Sequence, residues 1–190
     1  MVGRAETVGT DATEKTRVIT REPREADAGM PGPWWKGRRG EWFVVAQVAL
    51  IVLVFFGPRR WFGWPASALP LPAVRLVAGT TLAVLGAALF LAGVFHLGSN
   101  LTPLPYPKDG GTLVQSGAYR LARHPLYGGG ILACAGWGLI LGSIPALLYV
   151  AALCVLLDLK ARREEAWLVE RYPEYGAYRA RVRKLIPFLY

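Results

Sequence analysis

Two neighbouring apolar runs decide the fold of this chain: YGGGILACAGWGLILG at residues 127–142 and IPALLYVAALCVLLDL at residues 144–159. Only Ser143 separates them, and Pro145 stands where the first turn of a helix tolerates a residue without an N–H group. The pattern predicts a tight helical hairpin. Each run is shorter than the ~20 residues that usually cross a bilayer. Crossing therefore requires partial insertion, local thinning or a contribution from flanking residues.

Two further apolar runs precede the hairpin, at residues 42–56 and 73–97. The second is long enough to cross a bilayer core as a helix. Gly79, Gly86 and Gly93 recur along it at regular helical spacing, so they share one face and allow a neighbouring helix to approach closely. The chain is therefore predicted to be an all-α integral membrane protein with about four transmembrane helices.

The composition agrees with a membrane protein rather than an average soluble domain. Hydrophobic residues make up 53% of the chain, charged residues make up 18%, and the mean hydropathy is +0.31. The net charge of +9 is concentrated in basic blocks that flank the apolar runs. No nucleic-acid-binding motif accompanies these blocks, so we expect the membrane surface, and no nucleic acid, to be the partner of this charge.

The distribution of basic residues predicts the orientation in the membrane. The connections at residues 57–72 and at Ser143 carry only Arg59 and Arg60, whereas the opposite side collects Lys36, Lys108 and the basic C-terminus. The positive-inside rule makes that opposite side cytoplasmic, together with both termini of this multi-pass protein. A C-terminal helical segment, residues 160–190, is expected to lie along the cytoplasmic surface of the membrane.

The remaining segments carry less information. Residues 1–33 are polar, lack the apolar core of a cleavable signal peptide, and are predicted to form a disordered tail ahead of a membrane domain at residues 34–190.

Cys134 and Cys154 lie in apolar runs and lack metal-ligand spacing. They are expected to be buried inert thiols rather than a disulfide or a catalytic group, and no metal site is expected.

Two polar clusters border the hairpin: Arg123-His124-Pro125-Leu126-Tyr127 before it and Glu164-Glu165 after it. Charged residues beside strongly apolar segments are typical of a site rather than of packing. Because a hairpin returns both clusters to one side of the bilayer, we expect them to meet in a pocket for a charged ligand.

Glycines and prolines surround this expected pocket. Residues 98–123 favour turns and extended backbone, and residues 112–114 can form a short extended segment whose backbone groups face a ligand. The glycines at 128–130, 136 and 138 either admit a ligand close to the backbone or allow helices to pack.

Further motifs follow the two clusters in a fixed order. The full set comprises Gly117-x-Tyr119-Arg120-x-x-Arg123-His124-Pro125-x-Tyr127, Glu164-Glu165-x-x-Leu168, Tyr175-x-x-Tyr178-x-x-x-Val182 and Ile186-Pro187-Phe188. At these spacings it closely resembles the C-terminal core of the isoprenylcysteine carboxyl methyltransferase family. The related phospholipid N-methyltransferases share much of the pattern, and the resemblance covers residues 111–188.

The resemblance implies an integral membrane methyltransferase with a cofactor core at about residues 98–188. It would bind S-adenosyl-L-methionine at the cytosolic end of the hairpin and take a lipidic substrate from the bilayer. Lys160 or Arg163 would face the charged group of that substrate. Carried over by position, the cofactor-binding residues are Gly111, Thr112, Leu113, Val114, Tyr119, His124, Pro125, Leu126, Tyr127 and Glu164, with Arg123 and Glu165 as further candidates.

The chemistry of the cofactor makes these residue types reasonable. Its methionine end and ribose diol require a donor for a carboxylate and a carboxylate that accepts from the diol or the ammonium group. His124 and Glu164 suit these roles. Taken singly, His124 equally fits a neutral imidazole at a helix end, and Glu164 a solvated charge paired with Lys160 four residues earlier. Gly111 and Lys160 stand where family members carry a histidine and an arginine.

Two kinds of methyl acceptor stay open. A carboxylate is already ionised near pH 7 and needs only a cation to orient it, which favours carboxyl O-methylation of an isoprenylcysteine-like or other lipophilic carboxylate. An amine, as in phosphatidylethanolamine, arrives protonated and needs a base such as His124, Glu164 or Glu165. Two alternatives come from other classes. One is a membrane sterol reductase that binds NADPH, although this chain is too short to hold the additional helices of such enzymes. The other is a non-catalytic membrane scaffold.

Overall fold

The computed structural model describes residues 40–60, 69–104, 110–187 and 189–190. These belong to one compact unit, Pro33–Tyr190, and the predicted tail at residues 1–33 lies outside the described residues. All regular elements in the described ranges are helical, which confirms the predicted all-α class. They are α1 (Glu41–Phe56), α2 (Pro72–Leu97), α3 (Pro125–Leu141), α4 (Ile144–Arg171) and α5 (Tyr175–Arg181), with short 3-10 turns at Gly98–Asn100 and Gly117–Arg120.

The turn between α3 and α4 forms the predicted hairpin. Gly142 ends α3 in the left-handed conformation, with a φ of 62°, which suits a residue without a Cβ. Ser143 then caps α4, because its Oγ accepts a hydrogen bond from the N–H of Ala146 at 3.3 Å. Pro145 occupies the first turn of α4, where its missing N–H leaves no helical hydrogen bond unmade. Local turn chemistry therefore fixes this connection.

α4 is much longer than the apolar run that predicts it. The structure has no break at residue 160, where the sequence places the start of a separate surface segment; the helix continues to Arg171. Residues 160–171 contain no Gly or Pro, and Pro173 is the first residue that stops a helix. At 1.5 Å per residue, the 28 residues of α4 span ~42 Å, which exceeds the ~30 Å of a bilayer core. Its charged last turns therefore extend past the apolar region.

The outer surfaces of the helices suit lipid. Within the described residues, α2 and α4 are the helices long and apolar enough to cross a membrane, and only 17% of the most apolar window of α2 is buried. α1 and α3 are apolar but have 16 and 17 residues, so four spans and their sidedness stay predictions. Large apolar side chains nevertheless face outward on α1 and α2, among them Trp42, Val48, Phe56, Val77, Val84 and Phe95.

Glycines bring α2 into close contact with α3. A Cβ added at Gly79 would lie 2.7 Å from the carbonyl oxygen of Gly136, and one added at Gly86 would lie 2.7 Å from that of Gly129. Gly93 is buried on the same face. The close helix approach predicted from these glycines is confirmed. Gly129 and Gly136 take part in the same contact. Helix packing, rather than access of a ligand to the backbone, therefore explains why these two positions are glycine.

This contact predicts the effect of adding one methyl group. Gly86→Ala should lower the free energy of unfolding by about 1–3 kcal/mol, because overpacking forces the two backbones apart. Gly130→Ala is the matched control, since its added Cβ has only the Phe90 ring at 4.0 Å nearby. Replacing a helical Gly by Ala there should be neutral or stabilising by about 0.5–1 kcal/mol. Unfolding by SDS from mixed micelles measures both; equal stability of the two variants would contradict the packing.

Candidate functional site

Backbone hydrogen bonds hold the C-terminal segment against the start of α3. The N–H of Arg123 donates to the carbonyl of Arg183 at 2.8 Å, and the N–H of His124 donates to that of Lys184 at 2.9 Å. Gly128 permits this approach, because a Cβ there would lie 2.9 Å from the carbonyl carbon of Leu185. The two polar clusters and the residues after α5 are therefore assembled at one end of the helices.

A buried ion pair joins α4 to the turn before α3. Arg123 Nε lies 2.8 Å from Glu165 Oε1, and their side chains are 10% and 5% exposed. The same guanidinium donates to the carbonyls of Arg179, at 3.1 Å, and Val182. His124 Nε2 lies 3.2 Å from the same Glu165 oxygen. One carboxylate thus contacts both Arg123 and His124 and holds them in place.

Glu164, the neighbouring carboxylate, points to the other side of His124. Its Oε2 accepts a hydrogen bond from Tyr127 Oη at 2.9 Å and lies 3.6 Å from His124 Nδ1. The rings of His124 and Tyr127 are stacked with their centroids 5.3 Å apart. The side chain of Glu164 remains 27% exposed, so it has room to accept further hydrogen bonds from a ligand.

These residues form one wall of a cleft between the ends of α2, α3 and α4. Its empty space, including the part open to solvent, is about 800 Å³. The segment at residues 111–114, here called the strap, forms another wall. The strap is tied to α2 through Thr112 N–H, which donates to Asn100 Oδ1 at 3.2 Å. Tyr172, just past α4, donates to the carbonyl of Gly111 at 2.6 Å.

Two tyrosines of α5 close the cleft from the C-terminal side. The hydroxyl of Tyr178 has a hydrogen-bond partner, because it donates to the carbonyl of Tyr119 at 2.6 Å. Tyr175 is 1% exposed, and its hydroxyl has no hydrogen-bond partner among the described residues. Burial raises the pKa of Tyr175, so the group remains a donor at neutral pH. A buried hydroxyl without a partner is unfavourable, and a polar ligand in the cleft would relieve that cost.

Most of the predicted cofactor residues border this cleft. Pro125 does not: it forms the first turn of α3 and lies against Gly93. Glu165 lies behind the wall, where it holds Arg123 and His124. The predicted residues that do line the cleft are Gly111, Thr112, Leu113, Val114, Tyr119, Arg123, His124, Leu126, Tyr127 and Glu164.

Neither residue predicted to orient the substrate lines the cleft. Lys160 is buried and donates to Gln47 Oε1 of α1 at 2.8 Å and to the carbonyl of Pro103 at 2.9 Å. Its Nζ also lies 5.1 Å from the centre of the Tyr127 ring, whose residue does line the cleft. Arg163 is exposed and lies over the Trp167 ring at 5.2 Å.

Several residues that line the cleft were not predicted as site residues. Leu168, Tyr175 and Tyr178 belong to the quoted motifs, so their spacing was a usable signal. Asn100, which follows α2, and Tyr172, which follows α4, had no signal in the sequence, because their roles depend on where the strap passes. The residues missed are Leu97, Asn100, Thr102, Leu168, Tyr172, Tyr175 and Tyr178.

Two bacterial metal-resistance proteins resemble this chain. The cobalt-zinc-cadmium resistance protein CzcN of Cupriavidus metallidurans is 32% identical over 156 residues, which cover 80% of this chain and 64% of that protein. The nickel-cobalt-cadmium resistance protein NccN of Alcaligenes xylosoxydans xylosoxydans is 29% identical over 154 residues, covering 80% and 65%. The chain thus spans just under two thirds of each relative. Its described residues bring together no group of three His, Cys, Asp or Glu side chains that could hold a metal ion.

A family model gives a more direct assignment. The model described as phospholipid methyltransferase matches residues 74–175, a range that contains nearly all of α2, the whole hairpin and most of the cleft. Members of this family are membrane methyltransferases. Because the match covers more than half of the chain, the protein belongs to the phospholipid methyltransferase family.

Proposed function

We propose that the protein is an integral membrane methyltransferase that uses S-adenosyl-L-methionine to methylate a lipidic substrate. The observation that carries the proposal is the cleft beside the hairpin. There the exposed part of Glu164, the stacked pair of His124 and Tyr127, and the strap face one space. The family supplies the reaction type, and these residues supply the chemistry that the cofactor requires.

The polar groups of the cleft fit the cofactor. Glu164 can accept hydrogen bonds from a ribose diol or from an ammonium group, while it keeps the bond from Tyr127 that fixes its orientation. Tyr175 also lines the cleft and offers an unused donor. Leu113, Val114 and Leu126 supply apolar surface for an adenine ring. When bound, the cofactor supplies an activated methyl group on a sulfonium.

His124 would act chiefly as a positioning residue in this cleft. Both of its ring nitrogens face carboxylates, Nε2 towards Glu165 and Nδ1 towards Glu164. It therefore fixes the spacing of the two carboxylates and the ring plane of Tyr127. Because methyl transfer is an in-line displacement, alignment of this kind is the main contribution that a protein can make to the rate.

Carboxyl O-methylation of an isoprenylcysteine-like or other lipophilic carboxylate is the favoured reaction. An ionised carboxylate needs no general base, only a cation that orients it. Lys160 is the better placed of the two proposed cations, because its Nζ lies 5.1 Å from the centre of the Tyr127 ring, and Tyr127 lines the cleft. It would bind the substrate by exchanging Gln47 or the carbonyl of Pro103 for a carboxylate oxygen.

N-methylation of a phosphatidylethanolamine-type amine is the alternative, and the description of the matching family favours it. An amine would have to lose a proton before attack. Glu164 is the candidate base, since Glu165 is occupied by Arg123 and His124. The two reactions therefore differ in the residue that acts on the acceptor: Lys160 would orient a carboxylate, whereas Glu164 would take the proton from an amine.

Cofactor binding depends on Glu164 in both cases. Glu164→Gln should weaken binding of S-adenosyl-L-methionine by about 1.5–3 kcal/mol, the range for hydrogen bonds that involve a charged group. Glu170→Gln, on the exposed surface of the same helix, is the matched control and should leave the affinity unchanged. Calorimetry on detergent-solubilised protein measures both. An unchanged affinity in folded Glu164→Gln protein would remove this residue from the site.

Substitution of Tyr175 should affect the stability of the free protein and the affinity for the cofactor in opposite directions. Tyr175→Phe should leave the free protein as stable or more stable, because it removes a buried hydroxyl that has no partner, yet it should weaken cofactor binding by about 0.5–1.5 kcal/mol. Tyr178→Phe is the control: it loses the bond to the Tyr119 carbonyl and should destabilise the free protein. Thermal unfolding with and without the cofactor measures both effects. Destabilisation of the free protein by Tyr175→Phe would contradict the assignment.

A methyl-transfer assay identifies the acceptor. The assay offers labelled S-adenosyl-L-methionine with a prenylated cysteine, a fatty acid or phosphatidylethanolamine, and then treats the product with mild alkali. A methyl ester releases its label and an N-methyl group does not, so we expect alkali-labile label, and we expect Lys160→Ala to lower turnover with little change in cofactor affinity. Alkali-stable label on the amine lipid would replace the favoured reaction by the alternative. No transfer and no cofactor binding would overturn the enzyme assignment.

A further inference from the structure

A second cavity, separate from the cleft, lies between the last turns of α4, α5 and the segment that follows. It has about 1,250 Å³ of empty space, including the part open to solvent. We call it the basic groove, because six cationic side chains line it and Glu165 is the one acidic side chain among the lining residues described. The cations are Arg123, Arg162, Arg179, Arg181, Arg183 and Lys184.

Two carboxylates fix the walls of the basic groove without neutralising it. Asp158 lies 2.6 Å from Arg162 Nε and also pairs with Lys184. Glu165 holds Arg123, and Arg179 approaches it only to 3.6 Å with a side chain that is 57% exposed. Among these side chains, six cations therefore face two anions, which leaves an excess of four positive charges. Such an excess in one concave surface attracts anions.

Arg181 and Arg183 carry much of this excess. Both are exposed, and neither has a carboxylate partner in the part of the chain that the structure describes. Guanidinium groups bind phosphate in a bidentate manner, with two parallel hydrogen bonds, so they suit a phosphate better than a halide or a simple carboxylate.

The depth of the basic groove matches the position of lipid phosphates. Asp158 and Ala166 lie ~21 and ~33 Å along α4 from Ile144 at 1.5 Å per residue. A bilayer core is ~30 Å thick, so this part of α4 passes through the boundary between acyl chains and headgroups. A phosphate bound here would therefore lie at the level of the headgroups.

An apolar track leads from the basic groove towards the membrane core. Val155 and Leu159 are 62% and 51% exposed, and they share one face of α4 with Arg162 and Ala166, which line the groove. Leu189, 76% exposed, also lines the groove. A free phosphate would use the cations alone, whereas a phospholipid would also cover these apolar side chains.

We propose that the basic groove binds the phosphate of an anionic phospholipid, whose acyl chain lies along Val155 and Leu159. The bound lipid is distinct from the methyl acceptor, because the ion pair of Arg123 with Glu165 separates the groove from the cleft. Arg123 lines both cavities. The proposal does not depend on which reaction the cleft performs.

Calorimetry with short-chain lipids tests the proposal on the full-length protein in neutral detergent, without cofactor. Dioctanoyl phosphatidylglycerol should bind at least tenfold more tightly than dioctanoyl phosphatidylcholine or inorganic phosphate. Arg181→Gln with Arg183→Gln should weaken phosphatidylglycerol binding by about thirtyfold at low salt, because each arginine near a lipid phosphate contributes about fivefold. Arg59→Gln with Arg60→Gln, outside the groove, is the matched control and should have no effect.

A second variant separates the lipid from a free anion. Leu159→Ser leaves every cation in place and, at an exposed position, should not prevent folding; it should weaken phosphatidylglycerol binding at least threefold and leave phosphate binding unchanged. Equal binding of the two lipids, or an unchanged affinity in the double arginine variant, would overturn the proposal. Phosphate that binds as tightly as phosphatidylglycerol would show a site for free phosphate instead.

Discussion

The buried ion pair between Arg123 and Glu165 is the constraint on which the site depends. It connects the turn before α3 to the extension of α4, and through the carbonyls of Arg179 and Val182 it also holds the end of α5. Loss of one partner would leave a buried charge without compensation, which typically costs about 3–5 kcal/mol. The pair keeps the cleft on one side apart from the basic groove on the other. Its removal would therefore disturb both cavities together.

The features that follow from local chemistry could be read from the sequence. Gly79, Gly86 and Gly93 predict a closely packed face because helix geometry places them in line, and the structure has α3 there. The single residue Ser143 between two apolar runs, followed by Pro145 in a position that suits a helix start, predicts the hairpin. The structure adds that Ser143 caps α4. The order of the Arg-His-Pro and Glu-Glu clusters likewise predicts that they meet, since a hairpin brings its two ends together.

Features set by tertiary structure could not be read in this way. The apolar run ends at Leu159, but the residues that follow still favour a helix, so α4 continues to Arg171. Lys160 has the spacing of a substrate ligand, yet its contacts with Gln47 and Pro103 come from elements distant in sequence. The Tyr175 hydroxyl has no hydrogen-bond partner among the described residues, and the amino-acid sequence carries no signal for this.

The attachment of the strap has a mechanical consequence. Asn100 fastens one side of it to the end of α2, and Tyr172 fastens the other to the end of α4. Both bonds are made to the same peptide group, between Gly111 and Thr112 at the start of the strap. A change in the angle between α2 and α4 would therefore act on this one peptide group and move the wall of the cleft that the strap forms. The width of the cleft thus depends on the relative position of two helix ends that are far apart in the sequence.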